Sequence, residues 1–95
     1  MDDLKTFLGA LANEDERKAF AVRCGTTIKH MRNVMYGTRL CSEKLAASLE
    51  RESRGMVKVE ASCAKPDGGK WRRIPDAKWP WHPQGRPLLD LTEAA

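Results

Sequence analysis

No stretch of this sequence approaches the ~20 consecutive apolar residues that a membrane-spanning helix needs, so a membrane role is not expected. The opening residues Met1, Asp2 and Asp3 carry no basic group and lead into no apolar signal core, which points to a cytoplasmic protein. Cysteine occurs three times, at Cys24, Cys41 and Cys63, an odd count without a Cys-x-x-Cys spacing. That excludes a disulfide framework and fits a reducing compartment. With His30 and His82 equally scattered, there is no paired zinc-ligand spacing, and no metal or other cofactor is expected. Phosphate loop, Gly-x-Ser-x-Gly elbow and paired carboxylates are all missing, so an enzyme is not expected.

One further absence is local. From residue 17 to residue 42 there is no Asp or Glu, while Arg17, Lys18, Arg23, Lys29, Arg32 and Arg39 bring six positive charges. Elsewhere acids and bases interleave, and the net charge of the whole chain is only +4. A basic window of this kind attracts phosphate; by itself it is equally compatible with a solvated helix face.

What the chain does have is helical periodicity over its first half. The 95 residues, 41% hydrophobic and 32% charged, suit one small domain plus a tail. Leu4, Phe7, Leu8 and Leu11 predict a helix over 2–12, with Asp2 and Asp3 at its positive end and Gly9 weakening it. Asn13 and Glu16 form a capping-box pair ahead of a second helix over 14–24, whose buried stripe is Phe20, Ala21 and Cys24. Thr27 caps a third helix over 28–36, stopped by Gly37. Ser42 caps a fourth over 43–53, with Leu45, Ala46 and Leu49 facing inward and Gly55 ending it.

The spacing at the centre is the most specific signal. Ala21 is small, Gly25 follows four positions later, and apolar Met31 comes six after that. These are the spacings of a DNA-binding helix-turn-helix. The small residue permits a close helix crossing, the glycine supplies a left-handed turn, and Met31 and Val34 fix the second helix against the core. Its other face would enter a major groove. Lys29 and Arg32 are suited to guanine O6 and N7, Asn33 to adenine N6 and N7, and Ile28 to a thymine methyl. Thr26, Thr27, Arg39, Lys44, Arg17 and Arg23 would hold phosphates. Two roles stay open for several of these: Asn33 as a solvated residue, Ile28 as core, and Tyr36 as a core ring rather than a base contact. His30 reads as a surface residue or phosphate neighbour.

After Gly55 the pattern changes. Residues 56–60 alternate with period two, which predicts a short strand with an exposed edge that pairs with its copy in a dimer through Met56, Val57 and Val59. Pro66, Asp67, Gly68 and Gly69 predict a turn, and 70–74 a second strand pairing back across it. Pro75, Pro80, Pro83 and Pro87 argue against any regular element beyond, and residues 88–95 have little to anchor them. The expected fold is therefore all-α. It is a four- to five-helix domain over 1–55, with an extended Trp/Pro-rich tail over 56–95 that includes a short strand or hairpin.

The run from Phe20 through Ala21, Gly25 and Thr27, the step Tyr36, Gly37, Thr38, Arg39, and the segment Ser42, Glu43, Lys44, Leu45, Ala46 resemble the YdaS-like, Cro-related phage regulators. Leu49, Glu50, Arg51 and Gly55, Met56, Val57 fit the same template, so the resemblance covers residues 4–59. It implies a lambda-repressor-like fold and a prophage-encoded, nucleoid-associated transcriptional repressor, acting as a homodimer on double-stranded operator DNA. Some members of that family are antitoxins, which implies a toxin partner. A protein-interaction module is the other class of function. Trp71, Trp79 and Trp81 would be its anchors, unless these rings cover the small helical core.

Overall fold

Apolar residues recur every three or four positions through the first half of the chain, and that spacing becomes four helices around one core. A computed structural model describes residues 2–63 and 69–91. The elements are α1 Asp2–Ala10, α2 Glu14–Arg23, α3 Ile28–Met35, α4 Glu43–Glu52, a one-turn α5 Val59–Ser62, and the strands β1 Gly69–Ile74 and β2 Arg86–Leu91. The described residues are thus mostly helical, with five helices and one small two-stranded antiparallel sheet among them. No helix among the described residues is long and apolar enough to cross a membrane.

The core joins Leu4 and Leu8 of α1, Phe20 and Ala21 of α2, Met31 and Val34 of α3, Leu45 and Leu49 of α4, and Val57. Phe7 lies at the core's margin with its ring centroid 4.7 Å from that of Phe20. Each large apolar side chain buried here contributes roughly 1.5–3 kcal/mol.

Local chemistry sets the helix boundaries. Asn13, Thr27 and Ser42 each accept the N–H three residues on, from Glu16 at 2.9 Å, His30 at 3.1 Å and Leu45 at 3.1 Å. Glu16 also reaches back, but to the Ala12 N–H (3.0 Å) rather than to the cap residue itself. Removing one such cap costs about 1 kcal/mol. α2 and α3 both end in a Schellman turn. The N–H of Thr26 returns to the Ala21 carbonyl and that of Gly25 to Val22; Thr38 and Gly37 repeat this on Asn33 and Val34. The closing residues need a positive φ, and Gly25 (77°) and Gly37 (83°) supply it without steric cost.

The strand expected over 56–60 is not there. Val57 and Val59 are fully buried, the Val57 N–H bonds to the Ser53 hydroxyl (3.0 Å), and Val59 opens α5. The period-two pattern arose from an irregular segment that drops two valines into the interior, so neither valine can form a dimer edge. Met56, exposed between them and α4, is the one member of that trio at the surface. A domain boundary after residue 55 would cut through this core.

The strand expected over 70–74 is present as β1, but its partner is β2, in register Trp71 to Leu89 and Arg73 to Pro87. Residues 86–91 are therefore a strand despite Pro87, which a two-stranded ribbon tolerates because every strand in it is an edge. Residues 64–68, with most of the expected turn, and residues 92–95 lie outside the described residues. Gly85 sets up the entry to β2. Its φ is +95°, and a Cβ there would fall 1.8 Å from the Ile74 carbonyl oxygen. Gly85→Ala is accordingly expected to destabilise by well over the ~1 kcal/mol that a left-handed backbone alone costs, measured as a drop in urea midpoint.

A buried ionic clasp holds the sheet to the helices. Glu50, in the last turn of α4, is fully buried. Its carboxylate accepts from both Nη atoms of Arg73 on β1, from the Trp79 indole N–H (2.7 Å) and from the Val59 N–H (3.0 Å). Arg73 also meets Glu60 at 2.7 Å and donates to the Gly85 carbonyl at 3.2 Å. Burial pushes the Glu50 carboxyl pKa upward, yet the hydrogen bonds from Arg73, Val59 and Trp79 outweigh it and hold the pKa below the ordinary value. A depressed folded-state pKa means stability that is complete above the unfolded glutamate value, about 4.3, and lost as pH falls through the lower folded value. Urea midpoints measured from pH 7 to pH 3 should fall across that acid window, and Glu50→Gln should flatten that part of the profile.

Candidate nucleic-acid interface

The α2–turn–α3 unit places a basic, partly polar face opposite a locked apolar one. Ala21 and Met31 are fully buried and Val34 almost so, which ties α3 to the core along one side. Ile28 is half-buried against that core, so its packing role is the one realised. On the opposite side Lys29 is exposed and Asn33 half-exposed. Tyr36 is 67% exposed and is not the core ring that the sequence favoured. It is the C-cap of α3, just ahead of the left-handed Gly37 at which the chain reverses.

A shallow groove of about 240 Å³ runs between the start of α3 and the start of α4, lined by Thr26, His30, Ser42 and Lys44 with Cys24 and Leu45 behind. Thr27 and Ser42 cap the two helices here, and a lysine and an imidazole line the groove between their N-terminal ends. That is chemistry suited to an oxyanion. His30 was legible only as a possible neighbour, because its place beside Lys44 depends on how α4 packs. Arg39 is exposed beyond α3; its guanidinium donates to the neighbouring Thr38 carbonyl (3.2 Å) and its N–H to the Asn33 carbonyl (3.2 Å).

Three of the expected contact residues are engaged inside the fold. Arg32 places Nη2 on both carboxylate oxygens of Glu14 at 2.5 and 2.6 Å. That hydrogen bond, opposed by partial desolvation and aided by the charges of Arg32, Arg17 and Lys18, holds the Glu14 pKa below the usual range. Arg17 caps the end of α1, donating to the Leu8 and Leu11 carbonyls at 2.9 and 3.2 Å. Arg23 lies over the Phe20 ring, 5.7 Å from its centroid, and pairs with Glu52 at 3.3 Å. Sequence reasoning missed these because each acceptor comes from another element: Glu14 stands 18 residues from Arg32. The window without acids is local in sequence only.

The tryptophans are tied into the fold as well. Trp71 donates to the Cys63 carbonyl (2.6 Å) and Trp79 to Glu50; the Trp79 and Trp81 rings lie 5.1 Å apart, and Trp81 covers Gly55. All three are half-buried. Burial pushes the Cys24 and Cys41 thiols up to about 12, which leaves them protonated and poor nucleophiles at neutral pH. Among the described residues no three His, Cys, Asp or Glu side chains converge as a metal site would require. Comparison of the chain with family models, with curated proteins and with solved structures finds no match.

Proposed function

We propose that this protein is a sequence-specific, double-stranded-DNA-binding transcriptional regulator of the Cro-like, lambda-repressor-like kind, with α3 as its reading helix. The observation that carries this is the division of α3: Met31, Val34 and Met35 are buried, while Lys29 is exposed, Asn33 half-exposed, Tyr36 exposed just past its end, and His30 lines the groove shared with Lys44. Lys29 and Asn33 read base edges, and Lys44, Thr26, Thr27 and Arg39 hold the flanking phosphates. Arg32 joins them when it exchanges Glu14 for DNA. The resemblance to the YdaS-like regulators supports a prophage repressor working as a homodimer on two half-sites about one helical turn apart.

Fluorescence anisotropy on DNA from the gene's own upstream region, at about 50 and 200 mM salt, tests the proposal. Binding that is tighter than to random DNA and falls steeply with salt is the expected result. Equal binding to both DNAs at low salt, or none, overturns it.

A further inference from the structure

A second cavity, of about 230 Å³, lies where the latter half of α1 meets the end of α3; its walls include Lys5, Leu8, Arg17, Arg32, Met35 and Tyr36. Leu8 and Met35 are buried and make an apolar floor. Around the rim stand three cations, and the carboxylate paired with two of them, Arg17 and Arg32, is Glu14, so these groups sum to a net positive charge.

The cations are not equivalent. Arg17 is used up: Nε and Nη2 cap the α1 carbonyls, and Nη1 stands 3.7 Å from Glu14. Arg32 meets Glu14 through Nη2 alone, which leaves the other edge of its planar fork. Neither the Lys5 ammonium nor the Tyr36 hydroxyl has a hydrogen-bond or ion-pair partner among the described residues, and both side chains are exposed. An ammonium, a guanidinium edge and a phenol therefore converge on an apolar floor.

We propose that this cavity binds a small carboxylate with an apolar body. Its volume lies below the ~300–1,000 Å³ of sites that take drug-sized ligands, which argues against a nucleotide. The floor of Leu8 and Met35 has nothing to offer a bare phosphate but covers an aromatic ring or short alkyl chain. The guanidinium edge matches the plane and spacing of a carboxylate, with Lys5 adding charge and Tyr36 a hydroxyl donor. The bound carboxylate takes the edge of Arg32 that Glu14 leaves open, so one guanidinium serves both carboxylates. The site itself does not depend on the DNA-binding reading.

The test is an NMR titration of the full ¹⁵N-labelled chain with benzoate, benzyl alcohol and inorganic phosphate in parallel. Benzoate is expected to give saturable shifts at the Leu8, Gly9, Met35 and Tyr36 amides, with a dissociation constant on the order of 1 mM for so small a ligand. Lys5→Met and Tyr36→Phe should each weaken it several-fold while leaving the thermal melt in place, because both side chains are exposed. Absence of saturation, equal shifts with benzyl alcohol, equal or tighter binding of phosphate, or indifference to both substitutions would each overturn the proposal. Both substitutions and all three probes read binding directly, whether or not α3 binds DNA.

Discussion

Arg73→Met should lower the unfolding free energy by about 3–5 kcal/mol, because it strands the Glu50 carboxylate in the interior. Glu50 is fully buried and the Arg73 side chain is 4% exposed. Without Arg73, the Trp79 indole and the Val59 N–H are the donors that remain to the charge among the described residues. A domain of this size is stable by roughly 5–15 kcal/mol, so the variant retains little margin. At about 4–8 °C per kcal/mol the melting temperature should fall by at least about 12 °C. The paired change Glu50→Leu with Arg73→Met removes both charges and should recover most of the loss, since a well-packed apolar pair replaces a buried ion pair at little or no cost. A single Arg73→Met that shifts the urea midpoint by the equivalent of less than about 1 kcal/mol would mean that the clasp does not form in solution.

Asn33→Ala should weaken binding to the cognate operator by about 1–3 kcal/mol, roughly 5- to 150-fold, and leave random-sequence binding nearly unchanged. In the proposed function Asn33 reads a base edge, and losing a base contact removes discrimination. Lys44→Ala should do the opposite: it weakens binding to every sequence alike and lowers the slope of log K against log salt by about 0.9, one phosphate's share. Glu14→Gln adds a diagnostic gain. It releases Arg32 from its carboxylate and removes a negative charge near the DNA, so both affinity and salt slope should rise. Competition titrations at two salt concentrations separate the three patterns. An Asn33→Ala variant that loses cognate and random binding equally would remove α3 from the role of reading helix.

Much of the helical half was legible because its signals are local. Asn13, Thr27 and Ser42 cap the helices that they were expected to cap, and Gly37 closes α3 through a bond spanning only a few residues. Met31 and Val34 face inward because period 3.6 leaves them no other side. The errors came where the decisive partner is remote. Residues 56–60 alternate as a strand does, yet a strand needs a neighbour, and what waits there is a core for Val57 and Val59. Arg17, Arg23 and Arg32 look like free cations until α1, α4 and the start of α2 bring up carbonyls and carboxylates. Nothing in the sequence singled out Glu50, since a charged residue beside Arg51 and Glu52 reads as surface until Arg73, 23 residues on, covers it.

That separation also sets a timetable for biosynthesis. A ribosome adding about 5–20 residues per second takes roughly 1–5 s to travel from Glu50 to Arg73. Until Arg73 is available Glu50 lacks its counterion, so sealing α4 into the interior is disfavoured until β1 has been made. The helices can form early, but closure of this fold waits for the β1–β2 ribbon.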